Sequence, residues 1–242
     1  MRKIPSLANR IVDDFASHGS PARAAAEKAY LKSQLDHLGV GVPKVRAIVR
    51  AAVKARPELG RDELVSAVQV LWRHRLHEAR LAAVELLCDH VELLGAADLA
   101  LVETMIRGAN TWAFVDPLAT VVAGGLVEQF PALTRSLDRW SRDDDFWIRR
   151  AAMLALLVPM RRGAGDFARF ARYADAMLDE KEFFIRKAIG WVLREVARKR
   201  PALVFDWLAP RAPRASGVTM REAVKYLSAA QRAKLVSKRS KR

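Results

Sequence analysis

Apolar positions recur at helical spacing along almost the whole chain, and no stretch alternates at period two for long. The clearest case is 182–200, EFFIRKAIGWVLREVARKR. On a helix, Ile185, Ala188, Ile189, Val192 and Val196 form one apolar stripe that must be buried, with Lys187, Arg194 and Arg198 on the opposite side. Trp191 lies off the stripe, on the edge bordering those cations. Two readings stay open for it: a core aromatic with basic neighbours, or an indole on a surface that meets phosphates and bases.

The same spacing predicts a helix capped by Ser6 and running to Ser17, then helices at 21–39, 42–56, 61–73, 77–94, 97–107, 112–128, 131–141, 146–160, 166–178, 182–199 and 201–208. A shorter C-terminal pair follows. Ser20-Pro21 is an N-cap with proline at the first helical position. Short linkers between such helices make sequential neighbours antiparallel. The expected organisation is one repeat domain over 1–232 and a frayed basic tail over 233–242.

A repeat runs through the pattern. Arg80-Leu-Ala-Ala, Arg149-Arg-Ala-Ala, Arg186-Lys-Ala-Ile and Arg221-Glu-Ala-Val have leading arginines 69, 37 and 35 residues apart, the first gap being two periods with one slot skipped. Two helices per period in the middle thirties predict an all-α fold, an α-solenoid of HEAT-like repeats, curved, with a basic concave face lined by the second helices. The skipped slot falls at NTWAFVDP, residues 110–117. There Phe114, Leu118 and Val121 supply the buried stripe, and Trp112 and Asp116, four apart, share the opposite face. In repeat register Asp116, Arg150 and Lys187 are nearly equivalent. A carboxylate, two cations and the indoles of Trp112 and Trp191 are therefore expected on one surface. The competing reading makes Asp116-Pro117 an ordinary N-cap with proline at the first helical position.

Bulk properties narrow the chemistry. Of the 242 residues 51% are apolar, enough for a substantial core, while a formal charge of +15 points to a polyanionic partner. Apolar runs are too short to span a bilayer, and Asp13 and Asp14 interrupt any secretory segment, so a soluble, cytoplasmic protein is expected. The single cysteine, Cys88, excludes an internal disulfide and a cysteine-ligated metal within one chain, and reads as core packing. His74 and His77 are spaced for one helical face without a third ligand nearby in sequence, which favours a surface or phosphate-facing role over metal. No P-loop and no Ser or Cys nucleophile motif occurs.

With these residues in place the chain resembles the AlkD-type DNA alkylation-repair glycosylases, a HEAT-like repeat family. The resemblance rests on EFFIRKAIGWVLRE at 182–195, Trp147-Ile-Arg-Arg150-Ala-Ala, Trp112-x-x-Val115-Asp116, Tyr30-Leu-Lys…Leu38-Gly and Arg221-Glu-Ala-Val-Lys225. Thr111 and Ala113 flank Trp112 where the family often carries a second acidic or aromatic residue. What the resemblance implies is excision of cationic N3- and N7-alkylated purines from double-stranded DNA by a monomeric, monofunctional glycosylase with no metal or other cofactor and no need to extrude the base. Asp116 would be the catalytic carboxylate, Trp112 and Trp191 would contact the lesion nucleotide, and Arg150 would hold the backbone beside it. Lys187, Arg194 and Arg198 join Arg150 as expected DNA contacts. An alkylated purine is already a good leaving group, so a carboxylate that stabilises the oxocarbenium-like sugar and orients water is sufficient. The alternatives are a non-catalytic HEAT-like module that binds damaged or branched DNA by charge, and a scaffold for an acidic protein.

Overall fold

A computed structural model of the chain describes residues 6–239, with side chains as far as Ser237. Residues 1–5, which open the N-terminal segment examined for a secretory signal, and 240–242, the end of the expected tail, lie outside the described residues. The fold is all-α, and the one strand-like pairing among the described residues is a single bridge between Asp36 and Leu76. Among those residues no helix is long and apolar enough to cross a membrane.

The chain forms two compact units, Met1–Leu118 and Ala119–Arg242. The first contains α1 (Leu7–Phe15), α2 (Pro21–Leu31), α3 (Val42–Lys54), α4 (Arg61–Arg73), α5 (His77–Asp89), α6 (Leu99–Ala109) and α7 (Trp112–Pro117). A π-helical segment, Leu118–Ala123, begins at the unit boundary. The second unit continues with α8 (Gly124–Gln129), α9 (Thr134–Trp140), α10 (Phe146–Leu154), α11 (Leu157–Arg161), α12 (Phe167–Ala176), α13 (Phe183–Ala197), α14 (Pro201–Leu208), α15 (Gly217–Ala223) and α16 (Ala229–Arg239).

Local chemistry explains many helix starts. The side chains of Ser6, Ser20, Asp145, Asp166, Glu182 and Ser216 each accept a hydrogen bond from a backbone N–H in the first turn of the helix that follows. The apolar stripe of α13 is buried as its spacing predicts. So are the alanines of the repeat, Ala82, Ala83, Ala151, Ala152, Ala188 and Ala223, which let neighbouring helices approach closely.

The repeat period reappears as a set of braces. Arg46 pairs with Glu85, Arg50 with Asp89 and Arg61 with Asp98 in the first unit. In the second, Arg149 pairs with Glu180, Arg161 with Glu195, Lys187 with Glu222, Arg211 with Asp175 and Arg214 with Asp179. Every pair spans between 31 and 39 residues, one repeat. The repeated arginines also share a local task. Arg80 donates to the His74 carbonyl at 3.1 Å, Arg149 to that of Asp143 at 2.6 Å and Arg186 to that of Glu180 at 2.6 Å, in each case six residues upstream. The guanidinium ties the turn before a second helix to that helix's first turn.

Two expectations change. Helix α2 ends at Leu31 rather than 39, because Lys32 takes a left-handed conformation (φ 50°) and the next residues form a loop. That loop is anchored from α5. The buried carboxylate of Glu78 accepts the N–H groups of Leu38 at 3.0 Å, Gly39 at 2.7 Å and Val40 at 3.1 Å. Gly39 has φ 77°, and a Cβ there would lie 2.2 Å from the Ser20 carbonyl oxygen, so glycine is required. The second change is at the C-terminus, where residues 234–239 extend α16 and Leu235 is fully buried. One apolar anchor suffices to hold a segment whose charge alone suggested fraying.

Candidate active site

In the first unit, α6 ends at Asn110 in a left-handed conformation, and Thr111 then caps α7 by accepting the Ala113 N–H at 3.3 Å. Asp116 therefore lies inside α7, not at its cap, and the N-cap reading of Asp116-Pro117 is corrected. The Thr111 hydroxyl is what starts the helix early. Trp112 and Asp116, one turn apart on α7, share a face. Pro117 has no N–H to offer the Ala113 carbonyl, and the regular α-helix gives way to the π-helical segment immediately afterwards. Such widened turns are frequent at functional sites.

Trp112 is 38% exposed and opens on a cleft of about 360 Å³, lined also by Tyr30, Arg46, His77, Glu85 and Pro117. Tyr30, 75% exposed, meets the Trp112 ring edge-on, with centroids 6.3 Å apart and planes at 89°. An aromatic wall beside carboxylates suits a flat cationic ligand. His77 forms part of the floor and is 6% exposed, stacked on His37 at 4.4 Å and against Phe114 at 4.8 Å. Burial, helped by the neighbouring His37, pushes its pKa down to about 4, so the ring is neutral near pH 7. The surface role expected for His77 is thereby overturned. His74 ends α4 whereas His77 begins α5, so the two do not share a helical face.

In the second unit, Arg150 is only 2% exposed. Its Nη1 donates to the Phe184 carbonyl at 2.6 Å, and its guanidinium lies 5.9 Å from the Phe184 ring and 6.0 Å from Trp191. Trp191 itself is half-buried. Phe146 and Trp147 complete the aromatic packing around Phe184. Lys187, Arg194 and Lys225 converge on Glu222. Burial works against the charge of that carboxylate, but the hydrogen bonds from Lys225 and Lys187, with the charge of Arg194, prevail and hold its pKa at about 2. Arg198 is exposed and sits 4.4 Å over Tyr226. The four basic residues thus differ: Arg150 is interior, Lys187 and Arg194 share one acid, and Arg198 faces water.

This all-α arrangement of packed helices has counterparts. Residues 11–227 match the family described as DNA alkylation repair enzyme. The chain belongs to that family. Among solved structures, a predicted DNA alkylation repair enzyme from Enterococcus faecalis is 22% identical with a TM-score of 0.76, over 88% of this chain and 98% of the other. AlkD2 from Streptococcus mutans is 16% identical with a TM-score of 0.60, over 87% and 100% of the respective chains. At such identities the likeness establishes the fold, and the family match establishes a place in alkylated-DNA repair. No curated protein matches the chain.

Sequence reasoning gave Tyr30 no role, yet in this alkylation-repair protein it forms the cleft wall with Trp112. The exposure of a large aromatic near the end of α2 carried no mark in the local pattern. Glu78 was missed for another reason: the three N–H groups it holds lie 38–40 residues away in the chain.

Proposed function

We propose that this protein is a monofunctional DNA glycosylase that hydrolyses the N-glycosidic bond of cationic N3- and N7-alkylated purines in duplex DNA. The observation that carries the reading is the capping of α7 by Thr111, which leaves Asp116 within the helix, one turn from an exposed Trp112 at an aromatic cleft. Asp116 stabilises the positive charge that develops on the deoxyribose and orients the attacking water. The indoles of Trp112 and Trp191 favour a cationic base over a neutral one, by roughly 2 kcal/mol where the contact is desolvated. Arg198 and its exposed basic neighbours meet backbone phosphates, so affinity falls steeply with salt. Lys187 and Arg194 reach phosphate in competition with Glu222. Arg150, interior and bonded to the Phe184 carbonyl, acts by holding Trp191 in place.

The test is release of N7-methylguanine or N3-methyladenine from methylated duplex DNA. Wild type is expected to release free base and leave an abasic site, and Asp116→Asn to lose at least about 100-fold in rate. Absence of release by wild type, with DNA binding intact, would leave a binding module instead. Equal rates for the two proteins would remove Asp116 from the mechanism.

A further inference from the structure

Helix α2 is anomalous, because none of its residues from Pro21 to Leu31 is buried. A helix with no buried apolar face has little to hold it in place. Yet α2 presents Tyr30 to the cleft and, three residues earlier on the same face, Glu27. Glu27, His37 and Glu78 each offer a ligand atom, and these atoms all lie within 4.8 Å of one another. Both ring nitrogens of His37 are buried without a hydrogen-bond partner. Buried polar atoms are nearly always satisfied, and one that is not marks the place of a water or an ion.

We infer that Glu27, His37 and Glu78 bind a single divalent zinc ion that ties α2 and the loop at 33–41 to α5. One imidazole and two carboxylates form a borderline donor set suited to zinc, and their two negative charges balance the ion. The stacked ring of His77 fixes the plane of His37. The three backbone N–H groups on Glu78 orient that carboxylate from behind, as outer-shell donors do at metal sites, while an ionised carboxylate keeps further lone pairs free. Glu27 gives up a pair with the half-exposed Arg23, at 2.6 Å, which contributes little in water. Closing the small remaining gap between ligand atoms draws α2 toward α5, and with it the tyrosine at the cleft wall. This site lies outside the expectation of a metal-free protein, because its ligands come from three separate segments.

The experiment is a zinc titration, by calorimetry, of the full chain carrying no affinity tag and stripped with chelator. One equivalent is expected to bind, with a rise in Tm at saturation. Glu27→Gln and His37→Gln are each expected to weaken binding at least about 10-fold, whereas the exposed His18→Gln changes nothing. Cobalt bound to wild type should broaden amide signals around residues 27, 37 and 78, a readout that does not depend on the variants folding. No binding heat would mean that water fills the space and would overturn the proposal. Binding indifferent to Glu27→Gln and His37→Gln, or cobalt broadening centred elsewhere, would overturn it equally.

Discussion

The two compact units are built from the same brace, an arginine or lysine answering an acid one repeat along, but they differ in what remains after the bracing. In the first unit, neutral histidines and the buried Glu78 lie under an open aromatic cleft, and both nitrogens of His37 lack a protein partner. In the second, Glu195 and Glu222 each gather several cations, the buried guanidinium of Arg150 donates to a backbone carbonyl, and Arg200 Nε is buried without a hydrogen-bond partner. Polar groups held short of full satisfaction retain capacity for chemistry, whereas groups fully paired within the protein contribute to its architecture. The proposed carboxylate chemistry draws on Asp116 in the first unit, while the paired cations around Glu195 and Glu222 brace the second.

The most direct way to break this division is a reciprocal pair of variants. Asp116→Asn should cut base release at least about 100-fold. Arg150→Ala should instead lower stability by about 2–4 kcal/mol, since it empties the interior space that the side chain fills and removes its bond to the Phe184 carbonyl. The reverse pattern would abolish the contrast. Next in size is Gly190→Val on α13. A Cβ there would lie 2.8 Å from the Cβ of Glu222 and 2.9 Å from the Thr219 carbonyl oxygen, so α15 must retreat. The expected cost is about 1–3 kcal/mol in urea unfolding, with hydrogen-exchange protection lost first around α15.

Acid separates the units more finely. His77 has a folded pKa of about 4 against an ordinary 6.5, so its contribution to stability is complete above pH 6.5 and is lost as pH falls toward 4. The loss is on the order of 3 kcal/mol, because the unfolded chain takes up the proton first. Glu222, held at about 2 against 4.5, supports the second unit above pH 4.5 and loses that effect only as pH falls toward 2. Exchange protection measured at pH 7, 5 and 4 should therefore decline in the first unit ahead of the second. The smallest effect is expected at Arg50→Ala. Its pair with Asp89 is 3.4 Å long and largely exposed, so unfolding should shift by less than about 1 kcal/mol.

Much of the fold was legible because its causes are local. The starts of α2, α3, α4, α5, α10 and α14 follow from caps, prolines and apolar spacing, and α4 and α14 match their expected spans at both ends. The end of α2 was not legible, since Lys32 turns left-handed for the sake of a loop whose N–H groups are met by Glu78 on α5. The candidate site divides in the same way. Trp112 and Asp116 can be paired by counting one helical turn, yet the cap at Thr111 competes with an equally good cap at Asp116, and only coordinates decide between them. His77 looked like a surface residue because its partners, His37 and Phe114, are distant in sequence. The bond from Arg150 to the Phe184 carbonyl, 34 residues away, leaves no mark in its own arginine-rich neighbourhood.

The one-repeat reach of the braces also bears on how the protein is made. A chain leaving the ribosome can close each arginine–acid pair as soon as the following repeat has emerged, without waiting for distant partners. Assembly can then proceed in the order of translation, with little of the apolar stripe left open to aggregation at any moment.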